Sequence, residues 1–272
     1  MISLKRNSKG EFVEAKGIRT RNSSIYIPNQ QDSFRISRSK FEDFMNCERC
    51  FYLDRVKGLD SPSIPGWALN SAVDELLKNE FDICREMQVP HRIFSEFGLS
   101  NIVPFKHADI ELWRKVPSHG LLYHVDGSNI ELQGGIDDLW YNQDTKQVII
   151  VDYKAQSTKY AVETNRYLAG TYHQAYKRQL DFYAYLLTKM GFELAYTGYF
   201  YVCNAGKAAE DFGGVMRFDE TLVPYAWNSD WIEPKIQQMI NILNSNELPT
   251  SNQSCENCAY ATQRSIIEIH PN

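Results

Sequence analysis

Two kinds of apolar pattern alternate along this chain. Short apolar runs bounded by turn residues read as strands, and apolar positions recurring every three or four residues read as helices. A helix is expected to begin near Ser37 or Ser39, because Ser39-x-x-Glu42 has the form of a capping box and Phe41, Phe44 and Met45 make an apolar face. Gly58 to Gly66, with Pro62 and Pro65, reads as a loop. A second helix is expected from about Trp67 to Phe81, carrying Leu69, Ala72, Val73, Leu76 and Leu77 at helical spacing. Leu121 to Val125 and Ile130 to Leu132 flank Asp126-Gly127, a hairpin signal. One strand is then expected from about Leu132 to Tyr141 and another from Val148 to Ala155, joined by a polar turn over Asn142 to Lys146. With the preceding hairpin they would form a three-stranded meander. Residues 156–172 are a polar loop, and a helix follows from about Tyr172 to Met190, with Gly191 as its C-cap. Glu193 to Cys203 reads as a strand and Trp231 to Leu243 as a helix, and Pro249 with a Ser/Asn-rich stretch leads to the last cysteines. Strands and helices interleave, so the fold class is α/β.

The two strands around Asn142 to Lys146 place chemistry as well as structure. A turn centred between Asp144 and Thr145 sets Tyr141 opposite Val148 and Asp137 opposite Asp152. Directly opposed residues share a face, and the period of two puts Lys154 on that face too. An Asp-x-Lys alone is ordinarily a solvated surface feature. Here it closes the apolar run Val148 to Val151, at the end of a strand expected to be buried. Two carboxylates that close repel unless a cation joins them, and hard oxygens suit Mg²⁺ or Mn²⁺. Such an ion can activate a phosphodiester for hydrolysis, with Lys154 stabilising the charge that develops.

Composition narrows the class. The chain has 272 residues, 43% of them apolar and 23% charged, as in globular proteins. No run approaches the length of a membrane helix, and the N-terminus lacks the apolar core of a signal peptide, so a cytoplasmic protein with reduced cysteines and no membrane partner is expected. The net charge of −5 argues against tight nonspecific duplex binding but leaves room for a local basic groove. Residues 1–35 are polar, and Lys5, Arg6, Lys9, Lys16, Arg19 and Arg21 make them a solvated segment or a nucleic-acid arm.

Four of the six cysteines fall in two pairs, Cys47-x-x-Cys50 and Cys255-x-x-Cys258, at opposite ends of the chain. That pattern points to a closed four-thiolate site able to take zinc or an iron–sulfur cluster. Cys84 and Cys203 read as ordinary buried thiols.

Gly134-x-Ile136-Asp137, the strand ending Asp152-Tyr153-Lys154, the helix pair Gln179 and Tyr183, and Cys47-Glu-Arg-Cys50-Phe-Tyr-Leu together resemble the PD-(D/E)XK nuclease superfamily. Gln179-x-x-x-Tyr183 is similar to a motif of its RecB-like branch, which includes CRISPR-adaptation nucleases and helicase-nuclease subunits. The resemblance runs from about Ile36 to Tyr260. It implies a restriction-endonuclease-like core, a central mixed β-sheet flanked by helices, with a helical N- and C-terminal part stapled by cysteines. In domain terms it implies a polar segment at 1–35 and one nuclease-like domain at 36–272, with 36–60 and 250–262 joined through Cys47, Cys50, Cys255 and Cys258. Asp137, Asp152, Lys154, Gln179 and Tyr183 would be catalytic, with Mg²⁺ or Mn²⁺ on Asp137 and Asp152. The family usually has a metal-binding histidine where this chain has Asn70, whose amide could ligate the ion or serve as a structural hydrogen-bonder. Asp74, one turn on, is a fallback ligand or a partner for Lys154. Related nucleases often carry a [4Fe-4S] cluster on one N-terminal cysteine and a C-terminal Cys-x-x-Cys-x5-Cys. The last of those positions is Arg264 here, and Cys50 would replace it. Paired Cys-x-x-Cys knuckles favour Zn²⁺, and the resemblance leans to iron–sulfur. The implied activity is metal-dependent DNA cleavage, exonucleolytic or end-processing on single-stranded DNA, in repair, recombination or defence, with a helicase or another nuclease subunit as partner. Read from its residues alone, the polar segment 156–172 could cover a single strand, with Tyr160 and Tyr167 stacking bases and Lys159 and Arg166 meeting phosphate, or be an ordinary loop to the next helix. The alternative is a catalytically weak nucleic-acid-binding or assembly subunit. A zinc-stapled interaction protein would explain the cysteines but not the acidic set.

Overall fold

A computed structural model describes residues 2–63, 66, 68–208 and 210–269, so the expected contributions of Pro65 and Trp67 lie outside the described residues. In chain order the elements begin with β1 (Phe34–Ser37), α1 (Arg38–Asn46), α2 (Glu48–Arg55), α3 (Ala68–Met87) and α4 (Arg92–Glu96). There follow β2 (Ile102–Pro104), α5 (Ile110–Arg114), β3 (Leu121–His124), β4 (Ile130–Gly134), β5 (Asp138–Asn142) and β6 (Val148–Gln156). The last are α6 (Thr164–Ala169), α7 (Gln174–Lys189), β7 (Thr197–Ala205), β8 (Phe218–Ala226), α8 (Ile232–Asn244) and α9 (Glu256–Ile269). They fall into two compact units. The first comprises Met1–Gly66, His124–Glu131 and Glu233–Asn272, and the second Trp67–Tyr123 and Leu132–Ile232.

The second unit is built on a five-stranded sheet of order β2-β5-β6-β7-β8. β6 and β7 run parallel and the other neighbours antiparallel, so the sheet is mixed, as expected. A parallel pair needs a crossover, and α6 and α7 supply it. Val148, Ile149, Ile150 and Val151 are all buried, because β6 lies mid-sheet with a helix on each face. Leu77 and Phe81 of α3 pack with Trp140, Ile149, Val151, Tyr153 and Tyr201 on one face. Phe81 stacks on Trp140 with ring centroids 5.5 Å apart and lies edge-on to Tyr201 at 5.8 Å. The alternate residues of β6, including Asp152 and Lys154, therefore point to the α7 side.

In the first unit, α1 is capped by Ser37, whose side chain accepts from the Lys40 N–H at 3.3 Å. Ser39 thus lies inside the helix, and the capping box at Ser39-x-x-Glu42 does not form. Tyr52 Oη donates to the Ser245 carbonyl at 3.1 Å, and Gln238 of α8 donates to Glu48. Arg6 and Phe12 pair across a small turn at Gly10, with the guanidinium 3.9 Å from the ring. No helix among the described residues is long and apolar enough to cross a membrane.

Several sequence expectations need correction. The strand expected at Leu132 to Tyr141 is two strands, β4 and β5, broken at Gly135 to Asp137. β4 joins β1 and β3 in a separate sheet, so the expected meander does not form. Gly134 is the reason for the close approach at this break: a Cβ there would meet Tyr183 and Leu186 of α7 at 2.9 Å. Glu193 to Ala195 precede β7 and touch Val148 only through a bridge and two backbone hydrogen bonds. β8 is not expected from the sequence, because Pro224 and two acids, Asp219 and Glu220, interrupt its pattern, which an edge strand tolerates. The helix expected to end near Phe81 runs on to Met87. Cys203 is buried as expected, but Cys84 is only half-buried.

Candidate active site

The hairpin register is the one the turn chemistry predicted. Tyr141 pairs with Val148, and the ladder ends at Asp138 with Val151. Beyond that point β5 has not yet begun, so the backbone N–H of Tyr153 lacks a strand partner. The Asp137 carboxylate takes it instead, accepting through Oδ2 at 2.8 Å. Asp137 is thereby fixed beside Asp152, one residue further along β6.

Asp152 is fully buried. Its Oδ1 accepts from Gln179 Nε2 at 2.9 Å, and the same amide lies 3.0 Å from Tyr183 Oη. Its Oδ2 touches the Lys154 ammonium but has no other hydrogen-bond partner among the described residues. Burial pushes the Asp152 carboxyl up to about 7; the Lys154 charge opposes this, and the nearby Asp137 carboxylate adds to it. Burial works against the Lys154 charge, but Asp152 and Asp137 outweigh it and raise the ammonium's pKa. Lys154 Nζ also sits 4.7 Å from the centroid of the Tyr176 ring. Two mutually repelling carboxylates, one with an underused buried oxygen, fit a hard divalent cation.

α3 lines the other side of Asp137. Asn70, Asp74 and Lys78 recur every four residues and so share a face. Lys78 pairs with Asp74 at 2.7 Å and lies 3.9 Å from Asp137 Oδ1. Burial, then the Asp137 charge, raise the Asp74 carboxyl above its usual range. Asp74 thus neighbours Asp137 and pairs with Lys78 rather than with Lys154. Asn70 is exposed, and its Nδ2 donates weakly to the Ala155 carbonyl at 3.5 Å. That contact uses the amide nitrogen, whereas an ion would be held through Oδ1.

Beneath the site lies a network that the sequence did not reveal. Asp138 is completely buried and accepts from Arg85, from Arg114 at 3.1 Å, from Tyr153 Oη at 2.7 Å and from the Leu139 N–H at 2.8 Å. Arg114 also donates to the Asp137 carbonyl at 3.0 Å. The neighbouring acids Asp137 and Asp138 therefore face different surroundings. Lys78 could have been found from its spacing to Asn70 and Asp74, but nothing in the local pattern marks Arg85 or Arg114.

The segment 156–172 is not wholly loop, since α6 forms within it. Tyr167 is buried there, stacked on His173 at 4.0 Å, so it cannot serve as a base-stacking platform. Tyr160 is half-exposed, with Arg166 4.2 Å and Lys159 5.0 Å from its ring centroid.

The four paired cysteines meet in the first unit, where their sulfurs all lie within 4.8 Å of one another and could hold a metal. Burial and the neighbouring sulfurs push Cys50 up, and burial leads in pushing Cys258 up to about 11. Burial works against a charge on Cys47, but the backbone N–H groups of Cys50 and Asn252 outweigh it and lower the thiol to about 7.

No curated protein matches the sequence. Among solved structures, a protein of Eubacterium rectale described as a "putative exonuclease" is similar in shape at a TM-score of 0.42 and 12% identity, over 92% of this chain and 94% of that one. So loose a likeness adds no argument about function. A model of the PD-(D/E)XK nuclease superfamily matches residues 68–263, which include Asp137, Asp152, Lys154, Gln179 and Tyr183. The chain belongs to the PD-(D/E)XK nuclease superfamily.

Proposed function

We propose that this chain is a metal-dependent deoxyribonuclease that acts on single-stranded DNA, from an end or near one. The observation that carries this reading is the convergence of Asp137, Asp152, Lys154 and Gln179 at the point where β5 and β6 part. Asp137 and Asp152 would hold a Mg²⁺ or Mn²⁺ ion, with Asp74 close enough to lend charge. When bound, the cation supplies Lewis-acid activation of the phosphodiester and lowers the pKa of attacking water. Gln179 keeps the Asp152 carboxylate from turning, by donating to Oδ1. Tyr183 in turn fixes the Gln179 amide. Lys154, held between Asp152 and the Tyr176 ring, keeps its proton and meets the charge growing on phosphorus. Tyr160, with Arg166 and Lys159 beside it, offers one stacking surface and two phosphate contacts for a single strand.

One observation favours a second reading, that of a catalytically weak nucleic-acid-binding or assembly subunit. Asn70 stands where the resemblance places the family's metal-binding histidine, and its amide nitrogen donates to the Ala155 carbonyl. Cleavage of end-labelled single-stranded and duplex DNA, with Mg²⁺ and separately Mn²⁺, decides between them. The nuclease reading expects cleavage that Lys154→Ala reduces by about 10²–10³-fold, as for loss of one charge-stabilising donor. DNA binding without cleavage in either metal would support the subunit reading.

A further inference from the structure

The cysteine site carries information about its occupant in the spacing of its sulfurs. Cys50 Sγ lies 3.4 Å from Cys258 Sγ and 3.5 Å from Cys255 Sγ, and Cys47 Sγ lies 3.8 Å from Cys258 Sγ. A single zinc ion binds thiolate at about 2.3 Å, so four sulfurs at the corners of a tetrahedron around it stand about 3.8 Å apart. A four-iron cluster places each thiolate on a different iron. The irons sit on alternate corners of a cube with edges of metal–sulfur length, and each outer sulfur projects beyond its own corner. Those sulfurs are then separated by the single-ion spacing plus an iron–iron distance, on the order of 6 Å or more. Every sulfur pair in this chain is inside 4.8 Å. The cavity among them has no room for the cube.

The ligand set agrees. The iron–sulfur arrangement suggested by resemblance needs a cysteine where this chain has Arg264, which instead pairs with Glu268 at 2.7 Å on the exposed side of α9. Cys50, the substitute, lies in the first turn of α2, three residues after Cys47 at its N-cap. Cys255 and Cys258 bracket the start of α9 in the same way. Two short knuckles facing each other make a compact tetrahedron, whereas a cluster needs ligands spread around a larger body.

We propose that Cys47, Cys50, Cys255 and Cys258 hold one zinc ion, and that this chain has exchanged the four-iron cluster implied by its resemblance for a redox-inert clamp. Zinc is chosen over a single ferrous ion because divalent affinity rises from iron to zinc for a given donor set. All four positions are filled by protein, so the site is closed and structural. It ties residues more than two hundred positions apart in the sequence, as the Cys50–Cys258 separation of 208 shows.

The test is metal content of the full chain purified without oxygen, read apart from any nuclease assay. The expected result is colourless protein with about one zinc and only trace iron per chain, and at least tenfold less zinc in a C50S/C258S variant. Cobalt exchanged into the wild type should give the intense visible bands of a tetrahedral thiolate complex, a readout that survives if the variant fails to fold. About four irons and four labile sulfides per chain would overturn the proposal, as would one iron in place of zinc. It also fails if the double variant keeps its zinc, if the chain neither retains nor takes up zinc, or if the cobalt spectrum is octahedral.

Discussion

Asp137 and Asp138 are consecutive acids, and exchanging each for asparagine should have opposite consequences. Asp138 has no exposure, and the side chains of its partners Arg85 and Arg114 are only 7% and 6% exposed. Asp138→Asn keeps the volume but removes the charge that two buried guanidinium groups share, and it turns one acceptor into a donor facing donors. Removing one partner of a buried pair costs about 3–5 kcal/mol. Each arginine retains other acceptors: Arg85 has the Phe105 carbonyl at 2.6 Å, and Arg114 has Asp82 at 2.8 Å and Glu111 at 2.9 Å. The loss should therefore sit at the low end, about 3 kcal/mol, or a fall in Tm of roughly 6–12 °C. Asp137→Asn still accepts the Tyr153 N–H through its amide oxygen and relieves repulsion with Asp152. Its Tm should stay within about 2 °C of wild type, while Mn²⁺ binding by isothermal titration disappears. Thermal unfolding of the three proteins by circular dichroism, without added Mg²⁺ or Mn²⁺ and with the cysteine site left loaded, reads both changes in Tm. An Asp138→Asn protein that melts with the wild type, or an Asp137→Asn protein that falls as far, would refute the division of labour.

Further outcomes follow from the same geometry. Gly134→Ala forces a methyl group against Tyr183 and Leu186, and should cost about 1–3 kcal/mol in urea unfolding, with cleavage reduced because Tyr183 moves from Gln179. His91 is buried against Phe81 and faces Glu80, with Arg92 and Glu220 nearby; burial lowers its pKa from 6.5 despite the pull of Glu80. The unfolded chain then takes up a proton that the native state refuses, so stability should fall as pH drops below 6.5. Urea midpoints at pH 7 and about pH 5.5 should show this fall, flattened in His91→Phe. Asn70→His places an imidazole where the family has one, and should tighten Mn²⁺ binding by on the order of tenfold, about 1.4 kcal/mol, in titration calorimetry.

Strand β6 was legible in the sequence because its signals are local. Four apolar residues, a polar turn of known length and the period of two fix both the register of Tyr141 with Val148 and the shared face of Asp152 and Lys154. Gln179 and Tyr183 were legible because a helix sets their separation. The break between β4 and β5 was not, since Gly134-Gly135 reads equally well as strand interior until α7 is seen against it. Tyr167 looked available to a ligand because its neighbours are polar, and only the tertiary stack with His173 removes it. Arg85 and Arg114 come from distant elements, and their convergence on Asp138 is a property of the fold rather than of any segment.

The four cysteines also impose an order on the birth of the molecule. All segments of the second unit have been synthesised once the ribosome passes Ile232, whereas the first unit draws on residues from both ends and waits for Glu233 onward. Its metal clamp waits longer still, until Cys255 and Cys258 emerge. The second unit can thus begin to fold while Cys47 and Cys50 still await Cys255 and Cys258. Vectorial synthesis makes the zinc clamp a late checkpoint: a nascent chain truncated before Cys255 holds every residue of the acidic site, yet it lacks the cross-link that would secure Cys47 and Cys50.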